Sequence, residues 1–340
     1  MDAIFDVGCR RVANGKLQSC VVVCGLHRSG TSAVARLINL LGADIADDLL
    51  RKNADNERGY WESEAVIRVH NRLLGAIDST HDGSLDPMPL RSNWPATAVA
   101  REAKRQLTRI IEKQFADSGL FVVKDPRISR LLPLWVEMLQ ALGIAPIAVI
   151  PFRNPLEVAF SLAQTNRVSL AQALFLYIRS YLETELASRT IPRVFVRYDR
   201  LLNDWRPFAR RLGEVFGDLF PFPSEQAAMA INDFITTDLY HHRFSREQLV
   251  RCSAVPTTVV EMFDTMDEVE QTGDDTGLRE SFDRLRVNVD DLDKLYHGFL
   301  LSERQRLIDV RHSFESSNSW RITAPLRWIR RSVNRSVCLN

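Results

Sequence analysis

The eight residues Gly25-Leu26-His27-Arg28-Ser29-Gly30-Thr31-Ser32 hold two glycines, three hydroxyls, one histidine and one arginine. If a strand precedes them and a helix follows, backbone N–H groups of the turn converge on one spot, and the helix dipole adds partial positive charge there. The glycines allow backbone angles that a side chain would penalise. Ser29, Thr31 and Ser32 add hydroxyl donors, Arg28 adds a cation, and His27 either shapes the loop or approaches the bound group. This is a design for holding a phosphate-like anion. A plain βα turn with a polar cap is the simpler alternative. The nucleoside-triphosphatase loop G-x-x-x-x-G-K-[ST] has lysine after its second glycine, whereas this chain has Thr31. A nucleotide kinase or NTPase is therefore the second reading.

A second anion motif is Arg153-Asn154-Pro155 followed by Ser161. An arginine at a strand end can fork onto a phosphate, and the proline suits the first turn of a helix. Lys124-Asp125-Pro126-Arg127 puts a lysine where a strand tip faces a site, with Arg127 suited to an anionic acceptor or to a surface ion pair. Between these lies Asp55-Asn56-Glu57-Arg58-Gly59-Tyr60-Trp61-Glu62-Ser63-Glu64. A carboxylate beside Tyr60 and Trp61 loses solvent, which raises its pKa toward useful base strength, and the aromatics suit a sugar. Glu57, Glu62 and Glu64 are all candidates, and an acidic helix N-terminus explains them equally well. His70 reads as helix surface.

The elements that must position these residues follow from periodicity. Residues 19–25 (SCVVVCG), 120–124 (LFVVK), 144–152 and 193–198 (RVFVRY) are short apolar or β-branched runs, as in strands buried on both faces. Helical spacing runs from Thr31 to a stop at Gly42, over 131–142 to Gly143, and over 155–164, 170–188 and 204–216. Strands alternating with helices predict an α/β fold, a parallel sheet with helices on both faces. Residues 81–95 read as a loop. The domain plan is an N-terminal extension over 1–18, the α/β domain over 19–250, an acidic linker over 251–275, and a helical C-terminal extension over 276–340.

The chain has 340 residues, 44 basic against 43 acidic, so no global field points to nucleic acid. Five scattered cysteines make neither a disulfide framework nor a zinc cluster, and no metal site is expected. Residues 1–16 lack the apolar core of a signal peptide, and no apolar run is long enough to span a bilayer. The expected location is cytoplasmic.

The loop GLHRSGTS resembles the 5′-phosphosulfate-binding loop of sulfotransferases that use 3′-phosphoadenosine-5′-phosphosulfate (PAPS), especially a bacterial branch with G-x-H-R-S-G-T-S. R-N-P-x5-S resembles the 3′-phosphate motif of the same family. Asn56, Gly59, Tyr60 and Glu62 match a bacterial N-x-x-G-[YF]-x-E segment, and Lys124-Asp125-Pro126 is similar to K-[ST]-P of heparan-type enzymes. Cytosolic members carry K-x-H, but Pro126 stands at the histidine position, so that role does not carry over. Tyr198-Asp199 resembles a scaffold segment, Y-[DE]-x-L-L. Arg243, after His241 and His242, matches a loop over the adenosine phosphate by position only. The resemblance covers residues 19–243.

It implies a P-loop NTPase-like sulfotransferase fold and transfer of a sulfuryl group from PAPS to a carbohydrate hydroxyl of a cell-surface or exported glycan. His27, Arg28, Ser29, Gly30, Thr31 and Ser32 would hold the 5′-phosphosulfate. Arg153 and Ser161, with Arg243, would hold the 3′-phosphate. Lys124 would act on the sulfuryl group and Glu62 as base. Adenosine 3′,5′-bisphosphate would leave, with no metal required. The segment 319–328 (SWRITAPLRW) resembles a tail found in bacterial glycan-assembly proteins, often glycosyltransferases. Its arginines and tryptophans suggest peripheral membrane or glycosyltransferase contact. A non-catalytic module of a glycan-assembly complex is the third reading.

Overall fold

The computed structural model describes residues 18–52, 58–77, 85–86, 89–236, 243–273 and 276–323. The chain divides into two units, Met1–Leu285 and Arg286–Asn340.

In the first unit, four buried runs form strands: β1 (Ser19–Val23), β2 (Leu120–Lys124), β3 (Ala145–Phe152) and β4 (Arg193–Arg197). They pair in the order β2-β1-β3-β4, all parallel. Parallel neighbours require crossovers, and the helical segments supply them. These include α1 (Thr31–Leu40), α2 (Glu64–Ile77), α3 (Ala98–Gln114), α4 (Ile128–Ala141), α5 (Pro155–Asn166) and α6 (Leu170–Ser188). Beyond β4 come α7 (Tyr198–Asn203), α8 (Arg206–Phe216), α9 (Glu225–Phe234), α10 (Arg246–Arg251) and α11 (Thr257–Thr272).

Side chains alternate across the strands. Val21 and Val23 join Val149, Val194 and Val196 in a core with residues of α1, α8 and α9. The opposite face is covered by α4, which packs on β1 and β3, and by α6 behind it. The predicted α/β architecture with helices on both faces is thus what forms. Val34, Leu37 and Ile38 of α1 are wholly buried, and truncating such a residue to alanine costs about 2–5 kcal/mol.

The strand order puts the topological switch between β1 and β3, where ligands of open α/β sheets bind at the carboxyl ends. Val23 is level with Lys124 on one side and with Val149 on the other. The loop after β1, Lys124 at the end of β2, and Arg153 just past β3 therefore share one edge of the sheet.

The acidic linker expected over 251–275 is corrected. Residues Thr257–Thr272 are helix α11, with Val259, Met262, Phe263 and Met266 buried. Spacings of three and four put these on one stripe, while the acidic residues face arginines, as in Arg197–Asp267 at 3.0 Å. A polar composition concealed an amphipathic helix that packs against β4, α5 and α6.

The second unit consists of the remainder of α12 (Arg279–Ser316) and α13 (Asn318–Ile322). Leu307, Ile308, Val310 and Phe314 of α12 are exposed. Among the described residues no helix is long and apolar enough to cross a membrane.

Candidate active site

The loop between β1 and α1 is shaped by its glycines. Gly30 is the left-handed N-cap of α1, with φ 93°. A Cβ there would overlap the ring of Tyr198. A Cβ on Gly25 would meet the Pro151 carbonyl oxygen at 2.9 Å and the Ser29 hydroxyl at 3.0 Å. Arg28 also has positive φ, 68°, a strained value for a residue with a side chain. The Ser29 hydroxyl donates to the Leu26 carbonyl at 2.6 Å, so it closes the turn instead of facing a ligand. Thr31 is buried, and His27 and Arg28 are half-buried.

The two anion motifs meet. Arg28 donates from Nε to the Ser161 hydroxyl at 2.8 Å, across 133 residues of chain. Arg153 is buried, its Nε donating to Glu157 Oε2 at 2.6 Å, and its guanidinium lies 5.5 Å from the ring centre of Tyr198. Burial pushes the Tyr198 phenol up, against the pull of Arg153, Arg28 and Arg58. Tyr198, read from sequence as scaffold, is thus the surface on which Gly30 and Arg153 are set. The end of β3 is fixed by phenols, Tyr177 donating to the Arg153 carbonyl at 2.9 Å and Tyr181 to the Pro151 carbonyl at 2.8 Å.

Lys124 and Glu62 form a buried ion pair, only 2% and 7% of their side chains exposed. Lys124 Nζ also donates to the Ser32 hydroxyl at 3.1 Å and the Tyr60 carbonyl at 3.2 Å. Its three N–H groups therefore have three acceptors. Ser32 in turn donates to the Tyr60 carbonyl at 3.2 Å. Burial raises the Glu62 pKa; Lys124 opposes this and Asp125 adds to it. The segment bends through two left-handed residues, Gly59 (φ 95°) and Trp61 (φ 58°). That bend turns the Tyr60 carbonyl and the Glu62 carboxylate toward Lys124.

Trp61, expected beside the acceptor, packs inward instead. The Arg36 guanidinium lies 4.5 Å from its ring centre, and Phe234 meets it edge-on at 6.2 Å. Glu64 starts α2, half-exposed and 4.0 Å from Arg68. Glu57, His241 and His242 lie outside the described residues, as do 324–340 of the tail. Arg243 is exposed and lines a cavity of about 380 Å³ with Glu157, Asp199, Asn203 and Ser245.

His70 is not helix surface. It is wholly buried, with Nδ1 2.8 Å from Asp125 Oδ2 and the Trp135 indole donating to Nε2 at 2.9 Å. An indole N–H can only donate, so Nε2 is the acceptor and Nδ1 carries the proton. Asp125 also accepts from the Arg127 amide at 3.0 Å and its guanidinium at 2.9 Å. Burial alone would raise Asp125, but His70 and Arg127 hold it well below the usual carboxylate range. This network fixes the turn after Lys124. The sequence cue was the position of His70 on α2, on the same side as Val66, Val69, Leu73 and Leu74, all buried.

Glu157 was also missed, although it stands four residues after Arg153, one helical turn along. Among the described residues no group of three His, Cys, Asp or Glu could hold a metal.

No protein-family model matches the chain, and no curated protein matches it. Solved structures similar to it include the sulfotransferase STF1 from Mycobacterium tuberculosis H37Rv, at 15% identity over 76% of this chain and 78% of that one, TM-score 0.41. A sulfotransferase domain from the curacin biosynthetic pathway is 14% identical over 74% of this chain and 92% of that one, TM-score 0.38. A sulfotransferase domain from the olefin synthase of Synechococcus PCC 7002 is 11% identical over 76% of this chain and 98% of that one, TM-score 0.42.

Proposed function

We propose that the chain is a sulfotransferase that takes a sulfuryl group from PAPS and places it on a carbohydrate hydroxyl. The observation that carries this is the meeting of two anion-binding motifs at the sheet switch point, with the Arg28 guanidinium 2.8 Å from Ser161. A nucleotide with a phosphate on both its 5′ and 3′ oxygens needs two such groups side by side.

The residues fit that ligand. A Cβ on Gly25 or Gly30 would strike Pro151, Ser29 or Tyr198, so the two glycines are what let the loop after β1 take the tight path that aims its amides at the start of α1. Arg153 and Ser161 stand beside it for the 3′-phosphate, with the cavity at Arg243 on the same side. PAPS supplies an activated sulfuryl group whose S–O bond to the 5′-phosphate breaks as the acceptor oxygen bonds to sulfur.

Glu62 takes the acceptor proton. Its raised pKa suits a base, and a positioned base contributes about 10²–10⁴ in rate. Protonation of Glu62 cancels its charge, which frees the Lys124 ammonium to stabilise negative charge on the sulfuryl oxygens. Ser32 and the Tyr60 carbonyl keep that ammonium in place. Base and electrophile are thus one coupled pair. A cytoplasmic acceptor, such as a glycolipid, and contact of the basic tail with a membrane or glycosyltransferase belong to the same reading.

The test is incubation with sulfur-labelled PAPS and a panel of glycans, beside thermal shifts with adenosine 3′,5′-bisphosphate and ATP-Mg. Label on a glycan and a rise in midpoint with the bisphosphate are expected. Magnesium-dependent ATP hydrolysis without transfer would overturn the reading in favour of an NTPase. Bisphosphate binding without label on any acceptor would favour a non-catalytic module.

A further inference from the structure

Glu157 has no part in the chemistry proposed above, yet it is a carboxylate with no exposed surface. A buried charge is costly unless it is paired and its remaining lone pairs are satisfied. Oε2 accepts from Arg153 Nε at 2.6 Å. Oε1 accepts from the main-chain N–H of Phe244 at 2.8 Å, 87 residues further along. The neighbouring Asn154 donates from Nδ2 to the Phe244 carbonyl at 2.9 Å. Its Oδ1 accepts from the Leu156 amide at 3.0 Å, capping α5. The Phe244 ring stacks on Phe160 of the same helix, centres 5.1 Å apart. Both backbone polar groups and the side chain of Phe244 are therefore held by α5 and its cap. Immediately afterwards Ser245 opens α10 with a capping box to Gln248.

One carboxylate thus fixes two things: the direction of the Arg153 guanidinium and the docking of the segment that carries Arg243. Both arginines border the place where a second phosphate would sit. A negative charge there weakens the local cationic field, so its presence needs a compensating role, and the two hydrogen bonds supply one.

We propose that Glu157 is a positioning residue that assembles the 3′-phosphate pocket by holding Arg153 through one oxygen and the 243–245 segment through the other. This rests on the sulfotransferase reading, since that reading places a 3′-phosphate beside Arg153. Glu157 is anchored on the first turn of α5, so its effect is specific to that end of the nucleotide. The loop after β1, which would hold the 5′ end, is closed by its own hydrogen bond, from the Ser29 hydroxyl to the Leu26 carbonyl at 2.6 Å.

The test is calorimetric titration of the full chain with adenosine 3′,5′-bisphosphate and with adenosine 5′-phosphate. Wild type binds the bisphosphate more tightly. Glu157→Gln keeps an oxygen for the Phe244 amide but presents N–H where Arg153 needs an acceptor. It is expected to lose tenfold or more in affinity for the bisphosphate and less than twofold for the monophosphate. The double variant Arg153→Ala/Glu157→Gln is expected to bind no worse than Arg153→Ala alone, because the charge acts through that arginine. Asn154→Ala loosens the segment without removing a charge, and should lose about threefold for the bisphosphate only. It serves as the second variant if Glu157→Gln does not fold. Equal losses for both ligands, or additive losses in the double variant, would overturn the positioning role. A wild type that binds the two nucleotides equally would overturn the sulfotransferase reading itself.

Discussion

Two buried ion pairs stand at the carboxyl edge of the sheet, and they differ in how they are built. Arg153–Glu157 is local, four residues apart, with the carboxylate on the first turn of α5. Lys124–Glu62 joins partners 62 residues apart, with the carboxylate on an irregular segment bent by Gly59 and Trp61. The cations differ too. A guanidinium stays charged at any working pH, whereas an ammonium beside a carboxylate of raised pKa can exchange its partner as a proton arrives. The local pair suits orientation and the long-range pair suits proton transfer.

The sharpest way to break that contrast is Glu62→Gln. Removing a positioned base should lower kcat by about 10²–10⁴, while calorimetry finds bisphosphate affinity within twofold of wild type. Glu157→Gln should show the reverse pattern. If Glu62→Gln turns over normally, the proton leaves by another route and the two pairs are both structural.

Gly30→Ala comes next and acts on the anion end. A left-handed residue with a side chain costs about 1–2 kcal/mol. The new Cβ also drives into Tyr198, and overpacking adds about 1–3 kcal/mol. Denaturant unfolding should register the sum. Because Arg153 lies over the same ring, bisphosphate affinity should fall as well. A variant as stable as wild type would show that Tyr198 can move aside.

How much of this was readable before folding follows the same division. The strands, α1 and both anion motifs depend on neighbours in sequence, and β2 and α6 fall on their expected residues. Glu157 was readable in the same way, from the four-residue spacing to Arg153. The contact between Arg28 and Ser161 depends on strand order, which spacing does not encode. So do the hydrogen-bond network around His70 and the inward turn of Trp61. Their partners Asp125, Trp135 and Phe234 come from other elements. Helix α11 was hidden for a different reason: its acidic residues dominate the composition, while a narrow apolar stripe does the packing.

A smaller effect tests the orienting pair directly. Arg153→Lys keeps the charge but loses the planar fork and the Nε bond to Glu157. Charge-assisted bonds are worth about 1.5–3 kcal/mol, so bisphosphate affinity should fall by roughly 10- to 100-fold. The monophosphate should be unaffected. An equal loss for both nucleotides would place Arg153 at the 5′ end.

The smallest effect is in pH, and its sign separates the pairs most cleanly. A base acts only when deprotonated. Burial raises the Glu62 pKa, so activity should fall on acidification through a limb above the ordinary glutamate value of about 4.3. Lys124 pulls that pKa down, so Lys124→Ala should move the limb of its residual activity to still higher pH. The nucleotide's own phosphates titrate near pH 6, so the comparison is between variants: wild type and Glu62→Gln should share one pH profile for bisphosphate affinity. Divergent affinity profiles would mean that Glu62 also contacts the nucleotide. A kcat/KM limb at or below the ordinary glutamate value would remove its claim to be the base.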